Sequence, residues 1–216
     1  MALTKVIGDG VGVLTTADEG SLKIQTGTTS ASFLSFADGD NNRGYVKYDH
    51  NDDSLELGVA GESHFKIDSA HILTMDKQPA FLANNSNAVQ SDIAASSLLQ
   101  IAFAVEVFDQ NADYNATNST FTAPVTGRYQ FNASVRLDNI DTAASYYLIR
   151  FTTSNRNHTL LWQPKYSADP QYFSYTVATL ADMDASDTCV VKIYQLGGSQ
   201  QTDINNDSIF SGYLVA

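Results

Sequence analysis

The chain has 216 residues and a formal charge of −12, from 24 acidic and 12 basic side chains. Its hydrophobic fraction of 43% suffices for a packed core and excludes a disordered chain. The acidic balance argues against recognition of nucleic acid through its phosphates. No apolar run approaches the ~20 residues of a membrane-spanning helix, and the single cysteine, Cys189, excludes an internal disulfide framework.

Residues 1–30 are rich in Gly and Thr with short apolar pairs, and read as an extended attachment arm. The first residues show no long apolar signal core and no cleavage site, so synthesis in a cytosol without ordinary export is the expectation. Gly8-Asp9-Gly10-Val11-Gly12 precedes no helix pattern and is therefore no nucleotide loop.

Residues 31–77 read as a β-meander. Phe33-Leu34-Ser35-Phe36 leads to the turn residues Asp38 to Asn42, Gly44 to Tyr48 forms a strand, and Asp49 to Asp53 turns again. Ser54 to Gly58 and Ser63 to Ile67 pair across Val59-Ala60-Gly61-Glu62. A sheet of this size buries too little apolar surface to stand alone, so association with copies of itself is expected. Asp38-x-Asp40-x-Asn42 has the start of a calcium loop, but Arg43 stands where such a loop requires Gly. It reads as a hairpin turn. His50, His64, His71 and His158 show no zinc-binding spacing.

Residues 84–97 form a loop, with one helical turn after Ser91 as the alternative. From Leu98 onward the strands lengthen. Tyr129, Phe131, Ala133 and Val135 alternate with polar residues, as do Tyr147, Ile149 and Phe151, then Phe173, Tyr175 and Val177, then Val191 and Ile193. Period-2 runs bounded by turns predict an all-β sandwich or jelly roll. Cys189 falls in such a run and reads as a buried, inert thiol. No Gly-x-Ser-x-Gly, phosphate loop or metalloprotease motif occurs. The six Asn-x-Ser/Thr sequons, at Asn84, Asn115, Asn118, Asn132, Asn157 and Asn206, follow from a composition rich in Asn, Ser and Thr.

Phe121-Thr-Ala-Pro-Val-Thr-Gly-Arg-Tyr-Gln-Phe131 carries the most specific signal. Pro124 cannot donate to a ladder and belongs at a strand end. Gly127 permits the tight turn that feeds the next strand. With Gln78 to Ala83, Val107 to Asn111, Thr188 to Ile193 and Ser208 to Leu214 in order around it, residues 78–216 resemble the globular head of complement component q, in the tumour-necrosis-factor jelly-roll superfamily. One departure is Ala185-Ser186-Asp187, where that family often carries Gly-Asp. Phe36 to Asp38, Asn42 to His50, Asp53 to Gly58 and Phe65 to Ile67 resemble a segment of bacteriophage tail fibres, and Met1 to Leu14 resembles the attachment end of such fibres.

The two resemblances together imply a non-enzymatic homotrimeric virion fibre, made in the host cytoplasm. Residues 1–30 would join other tail or capsid proteins, 31–77 would form a trimeric stalk or shoulder, and 78–216 a head that binds a host-surface glycan or protein. No cofactor is implied, and a structural calcium has no assignable ligands. The alternatives are a capsid or neck fibre, a decoration protein without a receptor role, or a glycan-degrading tailspike, whose carboxylate pair the sequence does not single out. Loops carry recognition on such scaffolds. The candidate receptor-binding residues are Trp162, Tyr166, Asp169, Gln171 and Tyr172 in one long loop, and Asn155, Arg156, Asn157 and His158 at a polar hairpin tip. Rings beside amides and carboxylates suit sugars; the competing reading is that Trp162 and Tyr172 pack in the sandwich or a subunit interface.

Overall fold

A computed structural model describes residue 24 and residues 26–38, 43–86 and 89–216. Most of the expected attachment arm, and most of the calcium-like Asp38 to Asn42 segment, lie outside the described residues. Every regular element among the described residues is a strand. Internal contacts divide the chain into two compact units, the second starting at Gln78.

The front unit is a five-stranded antiparallel meander of β1 (Ala31–Phe36), β2 (Gly44–Asp49), β3 (Ser54–Val59), β4 (Glu62–Ile67) and β5 (Leu73–Thr74), paired in sequence order. Its turns follow from local chemistry. The Asp49 carboxylate accepts the Asn51 amide at 3.0 Å. Ala60 and Gly61 both take positive φ, as a two-residue hairpin turn between right-twisted strands requires. Asp68 accepts the amides of Ala70 and Ile72, each at 2.9 Å, and His71 sits in the left-handed region with φ 65°.

Register sorts this sheet into two unlike faces, because directly paired residues share a face. One face has the cross-strand rows Tyr48, Leu55, Ile67, Leu73 and Leu34, Val46, Leu57, Phe65. The other carries Lys47, Asp49, Ser54, Glu56 and Lys66. Burial runs against residue type: in β3, Ser54 is fully buried and Glu56 is 7% exposed, whereas Leu57 is 43% and Val59 63% exposed. The charged face covers itself. Lys47 pairs with Asp49 at 3.1 Å and Glu56 at 3.4 Å, while Lys66 pairs with Asp52 at 2.8 Å and Glu56 at 3.5 Å.

The head is a two-sheet sandwich. Its strands are β6 (Ala80–Asn84), β7 (Leu98–Gln100), β8 (Val105–Asp109), β9 (Tyr114–Asn115), β10 (Thr120–Thr122), β11 (Gly127–Asp138), β12 (Tyr146–Thr153), β13 (Asn157–Trp162), β14 (Tyr172–Met183), β15 (Thr188–Leu196), β16 (Asp203–Ile204) and β17 (Ile209–Leu214). One sheet runs β13-β12-β15-β10-β9, with β7 also on β15; the other runs β14-β11-β17-β6-β8, with β16 also on β11. The chain crosses between sheets at every connection from β6 to β17 except β9 to β10, β12 to β13 and β16 to β17, in the jelly-roll manner.

Alternation fills the space between the sheets. Tyr129, Phe131, Ala133, Val135 and Leu137 of β11 are buried, facing Cys189, Val191 and Ile193 of β15. Phe210 sits at the centre of an aromatic cluster, 4.9 Å from the Phe81 ring, 5.6 Å from Phe103 and 6.0 Å from Phe131. Each such ring contributes about 2–3 kcal/mol by burial. Several buried polar groups are paired: Tyr114 donates to the Phe103 carbonyl at 2.8 Å, and the Gln195 side-chain nitrogen donates to the carbonyls of Gly197 and Ser199 at 2.9 Å. Cys189 is fully buried, and that burial pushes its thiol pKa up.

Two local readings of the sequence change. Residues 89–97 contain no helical turn; Asp92 and Ser96 have positive φ, and the Ile93 amide donates to the Thr202 carbonyl at 2.9 Å. The backbone there is drawn onto a neighbouring segment instead of its own next turn. Pro124 does lie between strands, but Gly127 is required for a different reason from tight turning. A Cβ there would stand 2.7 Å from the Ala216 carbonyl oxygen and 2.8 Å from Leu214, so Gly127 allows the C-terminal strand to approach.

Candidate functional site

The two candidate groups fall at opposite ends of the head. Register places Gly127 against Met183, and Asp138 against Tyr172, at the two ends of the longest strand pair. The chain enters at the first end. There Gln78 donates to the Leu214 carbonyl at 3.2 Å, and the Arg128 amide donates to the Ala216 carbonyl at 2.7 Å. The loop before β13 belongs to this same end: the Asn155 amide nitrogen donates to Asp187 at 2.7 Å, and the Ala185 amide donates to Thr126 at 3.1 Å. Asn155 and Arg156 are exposed, and Thr153 accepts the Arg156 amide at 3.1 Å.

Asn157 and His158 are not at a hairpin tip. They are the first residues of β13, paired with Thr152 and Phe151, because the ladder continues to the last turn. His158 Nδ1 lies 2.9 Å from the Thr179 hydroxyl of the opposite sheet. Burial, and then the nearby Arg156, hold its pKa below the ordinary histidine value.

Trp162 and Tyr172 likewise are strand ends, closing β13 and opening β14, so the true loop is 163–171. Trp162 is half-buried where the two sheets part. Its ring stacks 4.3 Å from Tyr175, 5.3 Å from Tyr147 and 5.7 Å from Phe173. Tyr166 reaches the edge of the same stack, 6.1 Å from Phe173. This is the geometry of a packed aromatic seam along the flank of the sandwich. The indole Nε1–H has no hydrogen-bond partner among the described residues.

Asp169, Gln171 and Tyr172 gather at the end opposite chain entry. One Asp169 oxygen accepts the Thr142 amide at 2.8 Å and the Thr142 hydroxyl at 2.5 Å; the other accepts the Gln201 side chain at 2.9 Å. These bonds, those from Thr142 foremost, hold the Asp169 carboxyl below its ordinary pKa. The Gln171 carbonyl accepts the Asn139 amide at 3.1 Å, leaving its side chain exposed. Tyr172 is 61% exposed and lies flat against Arg136, whose guanidinium carbon is 5.0 Å from the ring centroid. Arg136 is held in turn by Asp138 at 3.1 Å and by Asp207.

Sequence reasoning missed Arg136, Thr142 and Gln201. They lie 27 to 36 positions from their partners along the chain, and only strand register joins them. The signal available was alternation, which puts Arg136 on the polar side of β11. What this end offers chemically is a fixed, exposed ring bordered by amides, carboxylates and one guanidinium. Among the described residues no three His, Cys, Asp or Glu side chains form a metal set.

Three structural likenesses are weak in sequence. The globular domain of zebrafish complement 1qA protein aligns at 14% identity and TM-score 0.47, over 64% of this chain and 98% of that one. Murine APRIL at pH 8.5 aligns at 15% identity and TM-score 0.45, over 64% and 100%. Murine APRIL at pH 8.0 aligns at 17% identity and TM-score 0.45, over 65% and 100%. No curated relative matches the sequence. The family model of the C1q domain matches residues 80–215, well over half of the chain and all but the edges of the second unit. The chain therefore belongs to the C1q-domain family.

Proposed function

We propose that the chain is a homotrimeric fibre protein of a bacteriophage particle, whose C1q head binds a host-surface glycan at the end bearing Asp169, Gln171 and Tyr172. C1q domains commonly self-associate as trimers and are typically non-enzymatic structural or ligand-binding modules. Self-association suits the exposed Leu180, Ile209 and Tyr213 on the outer face of the β14-β11-β17 sheet. The phage setting is supported by the likeness of residues 36–67 and of the arm to tail-fibre segments. The arm would dock on other virion proteins. Low single-site affinity would be multiplied by three heads acting together.

The observation that carries the binding site is Tyr172. An exposed tyrosine normally turns freely; here Arg136 holds its ring in place, and Asp169 is pre-set by three hydrogen bonds. A pre-ordered ring loses little conformational entropy when a sugar stacks on it. Trp162 and Tyr166 serve the flank seam, and the Asn155 to His158 group serves the entry end, so neither takes part in this contact. The test is a glycan array probed with the full-length protein. Wild type should bind a defined set of glycans, and Tyr172→Ala should lose at least tenfold in apparent affinity with an unchanged melting temperature. Binding that survives Tyr172→Ala moves the site elsewhere; no binding to any glycan removes the glycan reading.

A further inference from the structure

We propose that the front sheet packs the face bearing Leu55 and Leu57 against the same face of two other copies of the chain, with the Lys47–Glu56–Lys66 face turned to solvent. This rests on the trimeric reading above and assigns an orientation that reading leaves open.

Burial in the front sheet is inverted with respect to residue type. Leu57 and Val59 are exposed in a single copy while Glu56 beside them is covered. The rows through Leu55 and Leu57 contain no charged side chain from β1 to β5. Two open clefts interrupt the same face: one of about 440 Å³ lined by Tyr48, Leu55 and Ile67 together with Asp53, Asp68 and His71, and one of about 210 Å³ lined by Ile24, Ser32, Leu34, Val46 and Leu55. Grooves between apolar side chains are what a second apolar sheet interdigitates with.

Charge selects the occupant. Copies of a chain of net charge −12 meet at lowest cost along the rows through Leu55 and Leu57, which carry no charge themselves although Asp53 stands beside Tyr48 at the end of one row. The opposite face gains nothing from a partner, because Lys47 and Lys66 already pair within one copy with Asp49, Asp52 and Glu56. Covalent continuity supplies the rest. Lys77 runs directly into the head at Gln78, so a trimer of heads holds three front sheets at an effective concentration on the order of millimolar. Packed sheets lie ~10 Å apart, which sets the reach of a probe.

The experiment uses the full-length chain. Leu57→Cys and Lys66→Cys are each treated, at low protein concentration, with a bismaleimide spanning about 10 Å, matched to the sheet spacing. Cys189 is buried and leaves wild type as the unreactive control. Solution mass is measured in parallel, and Trp162 fluorescence verifies an intact head. The expected result is a trimeric mass, with Leu57→Cys cross-linked between chains at least fivefold more than Lys66→Cys. A trimeric mass with equal or reversed cross-linking overturns the orientation and leaves the trimer standing. A mass near one chain, 23.4 kDa, overturns both.

Discussion

The two units solve the same problem in opposite ways. In the head, each sheet turns its apolar row toward the other sheet, so one chain closes its own core around Phe81, Phe131 and Phe210. In the front sheet the apolar row faces outward, and the buried positions go to Ser54 and Glu56. Alternation is equally clear in both. A period-2 pattern therefore tells which side chains share a face, and not whether that face is covered from within the chain. The largest contrast is expected at the centre of the head. Phe210→Ala removes a fully buried ring from a cluster with no slack and should destabilise the head by about 3–5 kcal/mol. The readout is urea unfolding followed by fluorescence of Trp162, the chain's single tryptophan, which reports on the head alone.

Glycines under aromatic rings distinguish the two units further. Gly212 lies beneath Phe131 and Phe81, and a Cβ there would stand 2.6 and 2.8 Å from them. Both rings are locked in the core, so Gly212→Ala should cost about 2–3 kcal/mol through overpacking. Gly58 lies beneath Tyr45, with a Cβ only 2.1 Å from that ring. The nominal clash is worse, yet Tyr45 is half-buried on an open sheet face and can swing aside. Gly58→Ala should therefore cost about 1 kcal/mol or less, the scale of one displaced surface ring. Equal losses by hydrogen exchange in the two units would mean that the front sheet is as rigidly packed as the head.

The fold of the head was largely legible. The buried row of β11, the Pro124 corner and the closing strand at Ile209–Leu214 all follow from residue type and spacing. The candidate site was legible only in part. Asp169, Gln171 and Tyr172 do lie together, but the Asn155 to His158 group lies at the other end, since strand direction is not written in composition. Arg136 under Tyr172 depends on a ladder of twelve paired positions between β11 and β14, and no local pattern announces it. Trp162 looked like a loop residue because the pairing of β13 with β12 is invisible until the strands are aligned.

The departure at Ala185-Ser186-Asp187 gives a smaller effect of the opposite sign. Ser186 adopts φ 76°, the left-handed conformation that glycine tolerates and other residues resist. That is where the resembled family often carries Gly. Its backbone amide donates to the Ala123 carbonyl at 2.7 Å, so the conformation is held by the neighbouring turn. Ser186→Gly relieves the strain at some cost in unfolded-chain entropy, and a net stabilisation of about 0.5–1 kcal/mol is expected. A higher urea midpoint with an unchanged slope would verify it; a lower midpoint would show that the Ser186 backbone is unstrained.

The smallest effect separates the units by pH. His158 is the single histidine of the head, while His50, His64 and His71 belong to the front unit. Burial first, and Arg156 second, depress its pKa in the folded head. The unfolded chain therefore takes up the proton at higher pH than the folded one. Its contribution is fully present above the ordinary histidine value of ~6.5 and is lost as pH falls through the folded value. Because His158 is only partly buried, solvent screening limits the change to less than ~1 kcal/mol. Head stability followed through Trp162 should fall slightly between pH 7 and 5.5, and His158→Gln should flatten that slope. If the slope persists in the variant, the proton is taken up elsewhere and burial beside Arg156 does not keep the imidazole neutral.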